Sequence, residues 1–169
     1  MRLYLIRHAI AAEPDAKRWP DDRQRPLTAG GARRFKRTAG ALVDLINSGG
    51  TVGRLLTSPL ARARATATLL HKAGLPDAIE ESVLAPGRTA ARVLAVLRAH
   101  DAQSIVVVGH EPDLGRLLAV CVAGPDVKLS LHFRKGGAAC LSFPGAPRVG
   151  EATLEWLLPP KALRALREA

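Results

Sequence analysis

Two arginines and two histidines in this chain have the side chains and surroundings needed to handle a phosphoryl group. Arg7 and His8 are adjacent, Arg62 and His110 lie far along the sequence, and each of the four stands at or near the end of a short apolar run. Two guanidinium groups can hold a tetrahedral oxyanion through their planar forks, and two imidazoles can act as nucleophile, hydrogen-bond donor or proton shuttle. These residue types therefore favour phosphoryl transfer.

The apolar runs before these residues predict buried strands. Residues 3–6, 55–56 and 105–108 are short and aliphatic, and helical patterns separate them. In an open α/β sheet, ligands bind beyond the carboxyl ends of parallel strands, so residues that are distant in sequence can converge there. The spacing thus predicts one site built from three strand ends.

Alternating strands and helices predict an α/β fold with a mostly parallel sheet. Phe35, Ala39, Leu42 and Ile46 form the apolar stripe of one helix. Ser58 can cap the helix that carries Arg62, with Pro59 at its first position. The predicted strands are residues 2–7, 54–57, 79–83, 104–108, 129–134, 138–143 and 153–158. The predicted helices are residues 29–47, 59–73, 89–100 and 112–123, with a terminal helix from Lys161.

Three motifs together resemble the histidine phosphatase superfamily. They are Arg7-His8, the segment Ser-Pro-Leu-Ala-Arg-Ala-Arg-Ala-Thr-Ala at residues 58–67, and Gly109-His110. The compact length and the Pro-Leu-Thr segment at residues 26–28 further resemble the SixA-like phosphohistidine phosphatases. The resemblance covers nearly the whole chain. It implies a three-layer α/β/α fold of the phosphoglycerate mutase type, with a mostly parallel central sheet.

The resemblance also implies a role for each site residue. A neutral His8 attacks phosphorus in line, forms a phosphohistidine intermediate and is released when water attacks. Arg7 and Arg62 bind the phosphoryl oxygens, and His110 donates to them as charge develops. The scheme needs no metal and no cofactor. A backbone carbonyl is expected to fix the tautomer of His8.

Two departures from the superfamily pattern affect the expected chemistry. Ala9 replaces the glycine that commonly follows Arg-His, which argues against a left-handed backbone at this position. The acid that protonates an ester leaving group in many relatives has no recognisable counterpart, although Glu80 and Glu81 lie in the corresponding region. An imidazole leaving group has less need of such an acid. This difference favours phosphohistidine, carried by a signalling or phosphotransfer protein, as the substrate.

The long polar segment at residues 9–27 is a candidate substrate loop. Arg25 lies near its end and resembles an additional arginine of SixA-like proteins, which implies a role in binding phosphate or the substrate protein. An ordinary solvent-facing arginine is the competing interpretation. A small-molecule phosphomonoesterase remains the main alternative function, and phosphoglycerate mutase activity is a weaker one.

A net charge of +10 makes a nucleic-acid-binding module a contrasting hypothesis. The basic residues are spread along the chain, aromatic residues are few and no nucleic-acid motif accompanies them, so no specific nucleic-acid partner is expected.

The 169 residues are expected to form a single domain, 1–169. No apolar stretch is long enough to cross a bilayer, and Cys121 and Cys140 lack metal-ligand spacing. These features predict a cytoplasmic protein with reduced, buried thiols.

Overall fold

The computed structural model describes residues 1–166, and a six-stranded sheet lies at its centre. The strand order is β3-β2-β4-β1-β5-β6. The first four of these run parallel, and β5 is antiparallel to both of its neighbours. The predicted α/β class with a mostly parallel sheet is confirmed. The strands are β1 (Arg2–Arg7), β2 (Arg54–Thr57), β3 (Ala78–Glu80), β4 (Ser104–Gly109), β5 (Ala138–Ser142) and β6 (Thr153–Leu158).

Five helices cover the two faces of the sheet and complete the three layers. Side chains alternate along β1, so that Tyr4 and Ile6 pack on one face while Leu3 and Leu5 pack on the other. The first face is covered by α1, α2 and α5, and the second by α3 and α4. The helices are α1 (Ala29–Ser48), α2 (Ala61–His71), α3 (Ala90–Ala99), α4 (Asp113–Ala123) and α5 (Pro160–Ala165).

The sequence explains why α1 and β4 form where they do. The Thr28 hydroxyl accepts a hydrogen bond from the Gly31 amide at 2.9 Å and so caps α1. The apolar stripe predicted for this helix is fully buried against the sheet. Every residue of β4 is also buried, as expected for a central parallel strand covered on both faces. The strand ends that carry the predicted site thus sit on a rigid core.

The strand predicted at residues 129–134 is absent, and this segment is irregular chain. The segment makes no pairing with any strand of the described sheet. Phe133 instead buries its ring against the α3 and α4 face of the sheet. The apolar alternation therefore reflects one-sided packing of a loop.

The start of α2 also differs from the sequence prediction. The helix begins at Ala61 and its N-cap residue, Leu60, makes no side-chain capping bond, so Ser58 and Pro59 lie outside it. Strand β3 is shorter than predicted and is followed by a 3-10 turn at Ser82–Leu84. The other predicted helices and strands agree with the structure to within about two residues.

Cys121 lies in α4 and Cys140 in β5, and both are free and buried. Burial raises the pKa of the Cys121 thiol to about 12 and that of the Cys140 thiol to about 11. Within residues 1–166, no helix is long and apolar enough to span a membrane.

Candidate active site

His8 directly follows β1 and has a fixed tautomer. Its ring is only 6% exposed, and Nδ1 lies 2.7 Å from the Ala9 carbonyl oxygen. Because a carbonyl can only accept, Nδ1 must carry the proton and donate it. The lone pair therefore lies on Nε2. The structure provides the carbonyl partner that the sequence analysis expected.

The surroundings of His8 keep its ring neutral. The pKa of His8 is lowered to about 4, mainly by burial and also by the charges of Arg62, Arg7 and Lys135, against the opposing effect of the bond to Ala9. A protonated imidazole has no lone pair with which to attack phosphorus. At neutral pH the ring is thus in the form that nucleophilic attack requires.

Thr66 fixes the turn that follows His8. Its hydroxyl accepts a hydrogen bond from the Ala9 amide at 3.0 Å and donates one to the Arg62 carbonyl at 2.7 Å. Ala9 does not adopt a left-handed backbone, as its replacement of glycine suggested. Thr66 belongs to the motif at residues 58–67, but its link between β1 and α2 was not evident from the sequence.

His110 directly follows β4 and faces His8, with their ring centroids 5.1 Å apart. Its Nε2 lies 2.8 Å from the Ser58 hydroxyl, and its buried Nδ1 has no hydrogen-bond partner in the described structure. The pKa of His110 is lowered to about 3, mainly by burial and also by His8 and Arg62. Ser58 was predicted to cap α2. It contacts the second imidazole of the site instead.

Both arginines that were predicted to bind phosphate reach the site, and each has a hydrogen-bond donor without a partner in the described residues. Arg7 donates from Nη1 to the Phe133 carbonyl at 2.7 Å, and Arg62 donates from Nη1 to the Asp22 carbonyl at 2.9 Å. The Nε atoms of both are buried without a partner in residues 1–166. Buried donors of this kind are costly unless a ligand satisfies them. An anion placed between them would gain these bonds.

Asp22 bridges Arg62 and Arg25, a contact that the sequence analysis missed. One carboxylate oxygen lies 3.1 Å from Arg62 Nη2, and the other lies 2.6 Å from Arg25 Nε. The hydrogen bond from Arg25 is the main reason why the pKa of Asp22 lies below its usual value. Arg25 also donates to the Ala12 carbonyl at 2.6 Å. It is therefore connected to the site through Asp22.

The candidate acids differ in whether their carboxylates contact a basic side chain. Glu80 pairs with Arg64 at 3.4 Å on an exposed surface, and Glu81 lies 3.0 Å from a nitrogen of His100. Glu111, which directly follows His110, has one buried carboxylate oxygen without a partner in the described structure. Burial raises the pKa of Glu111, and the charge of Arg7 opposes this shift. Sequence reasoning did not single out Glu111, since no motif distinguishes its carboxyl from a surface one.

The structure thus brings Arg7, His8, Arg62 and His110 to the carboxyl ends of three adjacent parallel strands or just beyond them. Two charged guanidinium groups and two neutral imidazoles converge, an arrangement suited to a tetrahedral oxyanion and to nucleophilic attack on it. Within residues 1–166, no group of three or more His, Cys, Asp or Glu side chains has an arrangement that could hold a metal ion.

Comparisons with known proteins agree with this geometry. The sequence profile of the histidine phosphatase superfamily (branch 1) matches residues 3–85. An uncharacterised protein from Picosynechococcus sp. (strain ATCC 27264 / PCC 7002 / PR-6) is 37% identical over 172 residues, covering 94% of this chain and 100% of the relative. The structure of the protein histidine phosphatase SixA complexed with tungstate has a TM-score of 0.80 and 27% identity, covering 96% of this chain and 99% of that one.

A more distant structure shares the fold alone. The α-ribazole phosphatase from Shigella flexneri has a TM-score of 0.65 and 19% identity, covering 95% of this chain and 97% of that one. Together with the site geometry, these similarities define the class: the chain belongs to the histidine phosphatase superfamily and is a phosphatase of that superfamily. Within the superfamily it is a SixA-like protein.

Proposed function

We propose that this protein removes the phosphoryl group from phosphohistidine on a signalling or phosphotransfer protein, through a covalent intermediate on His8. The observation that carries the proposal is the state of His8: Nδ1 donates to the Ala9 carbonyl, and a pKa of about 4 keeps the ring neutral. The Nε2 lone pair is then available beside two arginines with unused donors. SixA, which has the same fold, is described with tungstate, a tetrahedral oxyanion.

The reaction proceeds in two displacements. In the first, the Nε2 lone pair of His8 attacks phosphorus, the P–N bond to the substrate imidazole breaks, and that imidazole leaves with the electron pair. In the second, water attacks the phosphorus of the intermediate, the bond to Nε2 breaks with its electron pair returning to Nε2, and inorganic phosphate leaves with the oxygen and protons of the water. Arg7 and Arg62 hold the phosphoryl oxygens in both steps, because guanidinium donors match developing oxyanions.

His110 acts as a hydrogen-bond donor to the phosphoryl group. The Ser58 hydroxyl accepts from the Leu60 amide at 3.4 Å, and its own proton can then be donated to His110 Nε2 at 2.8 Å. With the hydroxyl as donor, the ring proton of His110 lies on Nδ1, the atom without a partner in residues 1–166. Ser58 is therefore a positioning residue, which selects the tautomer of His110 that can donate.

The acidic groups favour a P–N bond over an ester as the bond that is broken. Glu80 and Glu81 are engaged with basic partners away from His8, and Asp22 is held ionised by Arg25 and Arg62. An alkoxide must be protonated as it leaves, whereas an imidazole that is already protonated on its second nitrogen leaves in its neutral form. Cleavage of phosphohistidine therefore needs no proton from Glu80, Glu81 or Asp22, whereas cleavage of an ester would need a proton donor.

A second candidate function, hydrolysis of a small phosphate monoester, is favoured by Glu111. One of its carboxylate oxygens is buried without a partner in the described structure, and burial raises its pKa despite the opposing charge of Arg7, which is a property of a group that can retain a proton. If Glu111 is an acid for esters, Glu111→Gln lowers kcat for an alkyl phosphate, whose leaving group needs a proton, and spares phosphohistidine. Comparable turnover of alkyl phosphate by this variant and wild type would exclude that role.

The function is tested by measuring phosphate release from a phosphohistidine-bearing protein and from an aryl phosphate, with chelator present. Wild type, His8→Ala and the exposed control His132→Ala are compared. We expect release from phosphohistidine by wild type and His132→Ala and its loss in His8→Ala. Release of phosphate from the aryl ester alone would indicate that the protein hydrolyses small molecules. Full activity in His8→Ala would overturn the covalent mechanism.

A further inference from the structure

A cavity of about 390 Å³ opens beside the candidate active site, between the start of α1 and the start of α5. Its floor is largely apolar: Phe35 is buried beneath it, and Ile10, Pro159 and Pro160 contribute partly exposed aliphatic surface. We call this cavity the basic cleft, because five cationic side chains also line it. They are Arg34, Arg134, Lys135, Lys161 and Arg164.

All the charged side chains that line the basic cleft are positive. No Asp or Glu lines it, and in residues 1–166 none of its five cations forms an ion pair with a carboxylate. Arg164 is half-buried and donates to the Thr38 hydroxyl at 3.2 Å, while the other four cations are exposed at the rim. A concave surface with unbalanced positive charge attracts anionic groups. Its ligand is therefore acidic.

The basic cleft is continuous with the backbone that holds His8. Ala9, the next residue, lines it, and so does Gly136, whose amide donates to the carbonyls of Arg7 at 3.0 Å and His8 at 3.1 Å. Gly136 has φ of 77°, which lets the chain turn close to this strand end. Lys135 is near enough for its charge to act on the His8 ring. The cleft thus shares backbone with the turn that holds His8, while the side chains of Arg7, His8, Arg62 and His110 do not line it.

We propose that the basic cleft binds an acidic, partly apolar segment of the protein that carries the phosphohistidine. This inference rests on the proposed function and names the recognition element of its substrate. A closed small-molecule pocket surrounds its ligand with a few fixed polar groups. Here four long, exposed cations border an open apolar floor, which suits carboxylate and aliphatic side chains of a protein segment.

The test uses two synthetic phosphohistidine peptides of equal length. In one, Glu and Leu flank the phosphohistidine, and in the other each Glu is replaced by Gln. The variant Arg34→Glu/Lys161→Glu reverses two exposed rim charges, and neither residue is part of the site that contacts phosphate. Lys161→Glu places a negative charge in the first turn of α5, where it is favourable, so this substitution is not expected to destabilise the helix.

The control variant Arg33→Glu/Lys72→Glu changes the net charge by the same amount at exposed positions outside the cleft. For wild type and control we expect kcat/KM to be about tenfold higher for the acidic peptide than for the neutral one, with a preference that decreases as salt increases. In the cleft variant this preference is lost, while turnover of an aryl phosphate is unchanged. Equal preference in cleft variant and control would overturn the assignment.

Failure of the proposed function is distinguishable from failure of this inference. If wild type hydrolyses neither phosphohistidine peptide, the proposed function fails, and the cleft is assessed by inhibition of aryl phosphate turnover with the unphosphorylated peptides. Stronger inhibition by the acidic peptide, abolished only in the cleft variant, supports the cleft. If the cleft variant instead loses activity only toward a small bisphosphorylated sugar, the cleft recognises metabolites and the assignment is overturned.

Discussion

At the scale of single residues, the proposed mechanism gives the Ser58 hydroxyl the role of keeping the proton of His110 on Nδ1. Its 2.8 Å contact with Nε2 is the only hydrogen bond that the ring makes in the described structure. Without it, either tautomer is available, and only the one protonated on Nδ1 presents a donor at that atom. A residue outside the phosphate contacts thereby affects the stabilisation of the transition state.

We expect Ser58→Ala to lower kcat for an aryl phosphate by roughly tenfold, comparable to the loss of one ordinary hydrogen bond, with little change in KM. Ser58→Thr keeps the hydroxyl and is expected to restore most of the activity. Steady-state kinetics of both variants test this prediction. A raised KM with unchanged kcat in Ser58→Ala would indicate a role in ground-state binding instead.

Asp22 is the residue against which an incoming anion must compete. Its carboxylate lies 3.1 Å from Arg62 Nη2, in the region where a phosphoryl oxygen is expected to bind. Its side chain is 55% exposed, so solvent weakens this ion pair. The competition is therefore modest.

Asp22→Asn keeps the side-chain shape but removes the charge, so we expect inorganic phosphate to inhibit the variant about two- to fivefold more strongly. The control Glu13→Gln removes an exposed carboxylate from the same loop and is expected to leave the inhibition constant unchanged. The measurement is inhibition of aryl phosphate turnover at several phosphate concentrations. Weaker inhibition of Asp22→Asn would mean that the carboxylate orders the loop rather than occupying the anion position.

At the scale of secondary-structure elements, α1 lies very close to the turn after β1. A Cβ atom added to Gly31, in the first turn of α1, would collide with the Ile10 carbonyl oxygen, whereas one added to Gly30 would meet nothing within 4 Å. The backbone of residues 8–10 and the N-terminus of α1 are therefore in direct contact. This contact helps to position His8.

Gly31→Ala is expected to destabilise the protein by about 1–3 kcal/mol and to lower activity, because the clash moves the His8 turn or the helix. Gly30→Ala is the matched control, and it is expected to be neutral or slightly stabilising in a helix. Urea denaturation and aryl phosphate turnover of both variants test the prediction. Equal stability of the two would show that the turn adapts without cost.

Elements with a strong local pattern were predictable from the sequence, whereas contacts between elements were not. The stripe of α1 and the aliphatic run of β4 each indicated their burial directly. Residues 129–134 also alternate, but an alternating pattern does not show whether the sheet offers a pairing partner, and this segment remains irregular chain with Phe133 in the core. In the site, the motifs indicated the four central residues, and the roles of Asp22 and Ser58 depend on contacts across more than thirty residues of sequence. Local periodicity contains no such information.

At the scale of the whole molecule, two neutral imidazoles inside the fold make its stability depend on pH. In the unfolded chain a histidine titrates near 6.5, whereas the pKa values in the folded protein are about 4 for His8 and about 3 for His110. Below a pH of roughly 6.5 the unfolded state binds more protons, so the free energy of unfolding decreases as pH falls. Above that pH these two groups contribute no slope.

Between about pH 6.5 and 5, each imidazole is expected to remove up to about 1.4 kcal/mol of stability per pH unit. His110→Gln is expected to reduce this slope by about half. Urea unfolding of wild type and variant across this pH range measures the slopes. A slope equal to that of wild type in His110→Gln would contradict the assigned protonation state of His110.

The two thiols bear on how the reaction responds to an oxidising environment. Cys121 and Cys140 are buried, and their raised pKa values leave almost no thiolate, which is the form that peroxides attack. Because the nucleophile that we propose is an imidazole, the proposed reaction does not depend on a thiolate. Phosphate release is then expected to continue at concentrations of hydrogen peroxide that inactivate enzymes with a catalytic cysteine.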